Sequence, residues 1–460
     1  MKSHFPRRPN LSLLTDLYEL TMAASYFEHK PQALASFDLF IRDLPEERSF
    51  FLAAGLVDVV EFLKNFHLDQ EAIDYLKGLG IFSARFLSYL KELRFRGSLW
   101  ALPEGTIFFP NEPVLRVVAP IIEAQLIESF LLNTINLQTT IATKAARVVL
   151  AAKGKNIFDF SLRRTHGADA AVKVARSAFI AGFSGTSNCL AGKLYGIPVV
   201  GTMAHSFVMS FDDELMSFKA FAETFPENSI LLVDTYDTLK GVKNAITVAQ
   251  ELEKKGHHLK VIRLDSGNLV HLAKKAREML DKAGLSSVKI FASGNLDEYK
   301  MSELLKHKAP IDSFGVGTKM GVSEDAPYCD VIYKLNEITD GNGDFLPTMK
   351  LSQGKVTYPG RKQIFRKEDE NGKYKRDIIG LENERLPGKR LLVKVMEKGE
   401  LTYKSPSLTQ TRAFALKNFS RLPPALTHLQ KAFQYPVEIS RKLRLLTRRV
   451  RSNILVKIEK

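Results

Sequence analysis

Only two cysteines, Cys189 and Cys329, occur among the 460 residues. That is too few for a disulfide framework or a cysteine-built zinc site and suits a reducing compartment. Both are expected to be small buried hydrophobes. No stretch reaches the roughly 18 uninterrupted apolar residues of a membrane span. The first residues, with Arg7, Arg8 and two early prolines, lack the apolar run of a secretion signal. A soluble, cytoplasmic protein is therefore expected. No P-loop occurs, and Gly315-x-Gly317-x-x-x-Gly321 is not the dinucleotide fingerprint.

What is present is an ordinary globular composition, 45% hydrophobic and 25% charged, which argues against disorder. The length predicts two or three domains. Acidic residues number 51 against 66 basic ones, a formal charge of +15 that calls for a polyanionic partner or a phosphate-rich substrate. Much of the excess lies in the tail. There Arg441, Lys442, Arg444, Arg448, Arg449 and Arg451 alternate with Leu443, Leu445, Leu446 and Val450 at helical spacing. That pattern predicts an amphipathic basic helix, read first as a solvated face packed on the body.

From about Asn156 to Lys334 one plan recurs: a short β-branched or aromatic run, a Gly/Ser/Asp-rich turn, then a helix. The runs are Ile157 to Phe160, Pro198 to Gly201, Ile230 to Val233, Lys260 to Leu264, Val288 to Phe291 and Ser313 to Val316. Helices are predicted over Thr238 to Lys255 and Leu269 to Lys282, with Gly256 and Gly284 as stops. Apolar strands alternating with helices indicate parallel pairing, hence an α/β barrel or an open doubly wound sheet, and the barrel is favoured. In either, ligands bind at the carboxyl ends of the strands.

Residues 1–140 read as a mixed α+β domain, with Thr15 or Asp16 capping a helix that runs to about Glu28 and a strand over Ser36 to Arg42. Residues 141–335 are the barrel. Residues 336–460 form a C-terminal segment that partly packs back on the first domain, and Gln353 to Arg366 is expected to be a surface excursion. Asp212 and Asp213 are read as helix-start carboxylates.

The strand ends present Phe160 to Arg164, Thr202 to Ser206, Asp234 to Asp237, Arg263 to Gly267, Ser293 to Asn295 and Gly315 to Lys319. Guanidinium forks bind carboxylate or phosphate, and glycine lets backbone N–H groups approach phosphate oxygens. A ligand carrying phosphate follows. His205, beside Thr202 and Ser206, is a candidate phosphoryl acceptor rather than only a structural histidine. Arg263 and Asp265, two apart, share one face and are suited to a phosphorylated sugar.

Thr15 to Met22, Ala142 to Arg147, the Leu162-Arg163-Arg164 turn, Gly185-Thr186-Ser187-Asn188, Gly201 to Ser206, Arg263 to Gly267 and Phe314 to Thr318 together resemble the nicotinate phosphoribosyltransferase family. The match runs in order from about residue 9 to about residue 366, and the tail beyond 400 matches only loosely. The resemblance implies a type II phosphoribosyltransferase with an irregular parallel α/β barrel, an N-terminal domain completed by later segments, and a homodimer with shared active sites. It implies that Tyr18 reaches the neighbouring subunit's site and stacks on the pyridine ring opposite Phe160. Arg163, Thr202 and Arg263 would surround the nicotinate carboxylate and nearby phosphoribosyl groups, and Asp265 would hold ribose hydroxyls. Gly294, Gly315, Gly317 and Thr318 would bind phosphoribosyl pyrophosphate (PRPP). His205 matches the histidine that ATP phosphorylates, and Mg²⁺ would accompany the departing pyrophosphate, its ligands unknown. Ser187 stands where nicotinamide-using relatives place an aspartate, which favours nicotinate. Ser161, His166 and Asn268 depart from the family pattern, where glycine, glutamine and an acid are common. The competing readings are a nicotinamide- or quinolinate-using transferase, and a nucleic-acid-binding protein that uses the basic tail.

Overall fold

The computed structural model describes residues 8–351, 357–429 and 434–458. Two compact units result, one formed by the chain up to Thr140 together with that from Tyr328 onward, the other by Ile141–Pro327. Among the described residues no helix is long and apolar enough to cross a membrane.

The first unit is built on an antiparallel sheet. Its strands run in the order Phe345–Pro347, Val331–Thr339, Leu34–Ile41, Pro113–Pro120, Ser98–Ala101, Val393–Glu397 and Glu400–Leu401. Leu34–Ile41 is an inner strand, paired on both edges, and is buried from Ala35 onward. Phe37 stacks on Tyr333 with ring centroids 4.7 Å apart. The helix Leu17–His29 begins after Asp16 as expected, but the Asp16 carboxylate does not cap it and accepts instead from the Ser129 hydroxyl at 2.8 Å.

A second sheet of this unit contains Lys362–Glu368 and Tyr374–Leu381. The surface excursion expected over Gln353 to Arg366 is thus corrected: residues 353–356 lie outside the described ones, and Lys362 to Arg366 is a buried strand. Its charges are met by carboxylates on neighbouring strands. Lys362 Nζ lies 2.7 Å from Asp38, and the Arg366 fork meets Asp377 at 2.5 Å. The basic tail forms the helix Arg441–Ile458, with Leu443 and Val450 buried and its arginines exposed.

The second unit carries the parallel sheet. We label its strands β1 (Asn156–Asp159), β2 (Gly185–Thr186), β3 (Ile230–Leu232), β4 (Val261–Leu264), β5 (Lys289–Ala292) and β6 (Ser313–Val316). They pair in the order β2-β1-β6-β5-β4-β3, all parallel, as a curled half-barrel. Leu231, Leu232, Ile262, Leu264, Ile290, Ala292, Phe314 and Val316 are each 0% exposed, whereas Phe158, Val261 and Arg263 are only half-buried, so burial alternates along β1 and β4. The run Pro198 to Gly201 is not a strand. Only Val199 bridges to Thr186, since Pro198 has no N–H to give a ladder.

Helices return the chain between strands, and their starts are fixed by local chemistry. Asn188, Asp213, Asp237, Asn268 and Asp297 each accept a backbone N–H from the first turn of the following helix. Such caps contribute about 1 kcal/mol each. Asn268, one of the departures from the family pattern, therefore serves as the cap of Leu269–Lys282. Cys329 is buried, but Cys189 is exposed at the first position of the helix Cys189–Tyr195, correcting the expectation for that residue.

Candidate active site

A parallel sheet stops its backbone pairing at the carboxyl ends of the strands, and the polar residues that follow are free to converge. Here they line an open cavity of about 430 Å³: Phe160, Arg163, Arg164, Arg263, Asp265, Ser293, Gly294, Asn295, Gly315, Gly317 and Thr318. The volume lies within the usual range for small-ligand sites.

Arg263 organises one wall. Its Nε donates to the Ser293 hydroxyl at 2.8 Å, one terminal nitrogen to Asp265 at 2.6 Å and the other to the Thr202 hydroxyl at 3.4 Å. Its guanidinium carbon lies 5.5 Å from the centre of the Phe160 ring. Asp265 also accepts from Ser293, while its own N–H and the Ser266 hydroxyl donate to one oxygen of Asp234 at 2.9 and 2.6 Å. Burial alone would raise the Asp265 pKa. The Ser293 hydroxyl, the Arg263 guanidinium and His205 outweigh it, so the carboxyl is held below its ordinary value. Asp265 is an ionised acceptor at neutral pH.

Next to it the lining is backbone. Gly294 has φ +89°, and a Cβ there would lie 1.6 Å from the Asp265 carbonyl oxygen, so no side chain fits. A Cβ on Gly315 would meet the Phe160 and Phe291 rings at 2.8 Å. Gly317 and Thr318 then open the short helix Thr318–Gly321. Exposed backbone N–H groups in such turns suit anion oxygens.

Arg163 and Arg164 sit on the 3-10 turn Leu162–Arg164, exposed at the cavity and without an ion-pair partner among the described residues. Beneath them Asp159 is 1% exposed. Its carboxylate accepts from the Ser161 N–H at 2.9 Å, from the Ser161 hydroxyl at 2.5 Å and from the Thr186 hydroxyl at 2.7 Å. Ser161, where the family pattern favours glycine, thus uses its hydroxyl to fasten the turn.

His205 does not line the cavity wall. It opens the helix His205–Met209, pairs through Nδ1 with the Thr235 hydroxyl at 3.2 Å, and lies close enough for its charge to lower Asp265. Thr202 reaches the site through Arg263. Ser187 is half-buried just after β2, its N–H donating to the Asp159 carbonyl at 2.8 Å. Tyr18 belongs to the first unit and is 50% exposed. Partial burial and the nearby Glu128, Glu19 and Asp16 raise its phenol pKa.

Known proteins decide the family. Residues 13–136 match the nicotinate phosphoribosyltransferase N-terminal domain, residues 156–339 the nicotinate phosphoribosyltransferase family domain, and residues 388–447 its C-terminal domain. Nicotinate phosphoribosyltransferase pncB2 of Mycobacterium tuberculosis is 50% identical over 434 residues, covering 94% of this chain and 92% of the relative. The chain belongs to the nicotinate phosphoribosyltransferase family. A Bacillus subtilis member is 40% identical over 94% of this chain and 93% of its own. The crystal structure of human nicotinic acid phosphoribosyltransferase superposes with a TM-score of 0.84 at 30% identity, covering 95% of this chain and 99% of that one. A nicotinate-nucleotide pyrophosphorylase from Pyrococcus furiosus reaches a TM-score of 0.72 at 27% identity, covering 92% and 98%.

Among the candidate site residues of this family member, Phe160, Arg163, Arg263, Asp265, Gly294, Gly315, Gly317 and Thr318 meet at one cavity, and Thr202 and His205 lie behind it. Asp159 and Asp297 were not singled out from sequence, and Lys319 entered only as the last residue of the Gly315 to Lys319 strand end, without its partner. The only signals were an acid ending an apolar strand and a lysine directly after Thr318. The donor set also suits a metal ion held mainly by substrate phosphates, because one buried oxygen of Asp234 has no hydrogen-bond partner.

Proposed function

We propose that the chain transfers the phosphoribosyl group of PRPP to nicotinate, giving nicotinate mononucleotide and pyrophosphate in cytoplasmic NAD salvage, and that ATP hydrolysis drives the step through phosphorylation of His205. The observation that carries the reading is the meeting at one cavity of guanidiniums, an ionised carboxylate and glycine turns. Such a set grips a sugar that bears phosphate at both ends. The names and extent of the relatives support the choice of acceptor.

In this reading the turns at Gly294 and Gly317 with Thr318 hold the 5-phosphate through backbone N–H groups. Asp265, kept ionised, accepts from ribose hydroxyls and fixes the anomeric carbon. The pyridine lies against Phe160, with Tyr18 of the partner subunit on its other face in a homodimer with shared sites. Arg163 and Arg263 orient its carboxylate, and Ser187 avoids the repulsion an acid would impose. Asp234, with one buried oxygen unpartnered, would help hold Mg²⁺, which would supply charge neutralisation for the departing pyrophosphate. The pyridine nitrogen attacks the anomeric carbon as the C–O bond to pyrophosphate breaks, so the protein's part is positioning and electrostatics rather than a nucleophile toward carbon. His205, half-buried near Asp265, takes the γ-phosphoryl of ATP on a ring nitrogen as the bond to ADP breaks, and hydrolysis of the phosphohistidine then releases inorganic phosphate and restores the imidazole.

Nicotinamide and quinolinate, the acceptors of the competing readings, are tested beside nicotinate. The assay follows product from nicotinate, nicotinamide and quinolinate with PRPP, Mg²⁺ and ATP, using the native chain and His205→Ala. Nicotinate mononucleotide as the main product, with transfer uncoupled from ATP in the variant, is expected. A different preferred acceptor refutes the substrate, and unchanged ATP consumption in His205→Ala refutes the phosphohistidine.

A further inference from the structure

The two glycine turns follow neighbouring strands, β5 and β6, whose paired register ends with Ala292 opposite Phe314. Beyond that register the turn after β5 adopts a conformation that needs support: Gly294 has φ +89° and Asn295, which is not glycine, φ +51°. Lys319 stands one residue after Thr318, and its Nζ lies 2.7 Å from Asp297, two residues after Asn295. Asp297 uses its other oxygen to cap the helix Glu298–Lys306 through the Lys300 N–H at 2.8 Å, and Lys300 Nζ returns to the Asn295 carbonyl at 3.1 Å. Next to it the fully buried Glu298 is fastened to Lys144 at 2.7 Å and Arg147 at 3.0 Å. The Asn295 turn is thus anchored from behind. The Thr318 turn joins that anchor through Lys319.

We propose that the Lys319–Asp297 ion pair is a positioning device that sets the spacing of the two backbone turns and so governs affinity for the 5-phosphate of PRPP. Neither side chain lines the cavity, and Asp297 already takes up the charge of Lys319, so the pair acts on geometry rather than as a direct anion ligand. The electrostatics agree. Hydrogen bonding to Asp297 raises Lys319. Burial raises Asp297, but the Lys300 N–H and Lys319 more than reverse this and leave it lowered. The Lys319 side chain is 23% exposed and its pair is reached by water, so its loss removes alignment more than fold stability.

This inference rests on the reading of the cavity as a PRPP site, and the experiment separates the two. Steady-state constants for both substrates are measured in the full chain, in Lys319→Met and in Lys319→Arg, together with the upward shift of Tm that PRPP alone produces. Lys319→Met should raise KM for PRPP about tenfold while kcat and KM for nicotinate change by less than about threefold. Lys319→Arg, which still reaches Asp297, should restore KM for PRPP to within about threefold. An unchanged KM for PRPP in Lys319→Met overturns the proposal. A uniform fall in all constants with a lowered ligand-free Tm, or failure of arginine to rescue, also overturns it. If the native chain does not use nicotinate, the proposed function fails, and the Tm shift still decides the pair. A shift lost in Lys319→Met and regained in Lys319→Arg supports it, while equal shifts in all three refute it.

Discussion

Replacing Arg263 with methionine tests the organisation of the site most directly. The side chain makes hydrogen bonds to Asp265, Ser293 and Thr202, and its plane lies by Phe160. Methionine fills similar volume and provides none of them. Hydrogen bonds involving a charged group contribute about 1.5–3 kcal/mol each. The Arg263 and Asp265 side chains are 16% and 28% exposed, so water compensates part of the loss. A net loss of roughly 3–4 kcal/mol in transition-state stabilisation corresponds to a fall in kcat/KM of about 10²–10³. The pH profile should move as well. Asp265 is lowered in the native protein, so its stabilising ionised form is present above the ordinary carboxylate value and is lost as pH falls through the lowered one. Without Arg263 that point rises, and acid inactivation should begin at higher pH. The assay is nicotinate mononucleotide formation across acid pH, with far-UV circular dichroism to confirm folding. A folded variant within about tenfold of native efficiency, with an unmoved acid limb, would refute the argument.

Gly294→Ala forces a Cβ toward the Asp265 carbonyl in a left-handed backbone. Displacement of that turn should lower kcat/KM for PRPP by roughly 100-fold while secondary structure persists, and near-native kinetics would contradict it. Ser187→Asp should shift the ratio of efficiencies toward nicotinamide by about tenfold or more, measured by competition between the two acceptors; an unchanged ratio counts against Ser187 as a selector. Glu123 is pushed up to about 7 by burial, against the opposing Arg96 N–H and charge. A carboxyl raised in the folded state binds its proton more tightly there, so stability falls as pH rises from about 4.5 to 7. Glu123→Gln should flatten that slope in urea unfolding and add on the order of 2 kcal/mol at pH 8, unless loss of the ionised form is immaterial, in which case the slope persists.

The parallel unit was legible in sequence because local signals there agree with one another. β6 and the helix Leu269–Lys282 were bounded to the residue, and Asp213 caps the helix it was expected to start. Strand ends place catalytic candidates by topology alone, so Arg263, Asp265, Gly294 and Thr318 were found without knowledge of contacts. Local signals failed where they conflicted. Val199 and Val200 promote a strand, but Pro198 removes the ladder donor, and only a bridge forms. Cys189 has the chemistry of a core residue and the position of a helix opening, and position prevailed.

What sequence could not reveal were charges satisfied at long range. Lys362 is paired with Asp38, hundreds of residues away, and Arg366 with Asp377 on the next strand. The same blindness hid the division of work among the site's cations. Arg263 is committed to Asp265, which leaves it little net attraction for a distant anion but a fixed orientation when one arrives. Arg163 and Arg164 are uncommitted and exposed, so under the proposed function they would attract a phosphorylated substrate from solution. Salt weakens exposed charges over a Debye length of about 8 Å at physiological ionic strength and affects partly buried ones less. Under the proposed function, capture by the exposed arginines would be the salt-sensitive part of binding, and alignment by Arg263 the salt-resistant part. Counting three arginines at one rim cannot distinguish these two roles; the carboxylate beside one of them does.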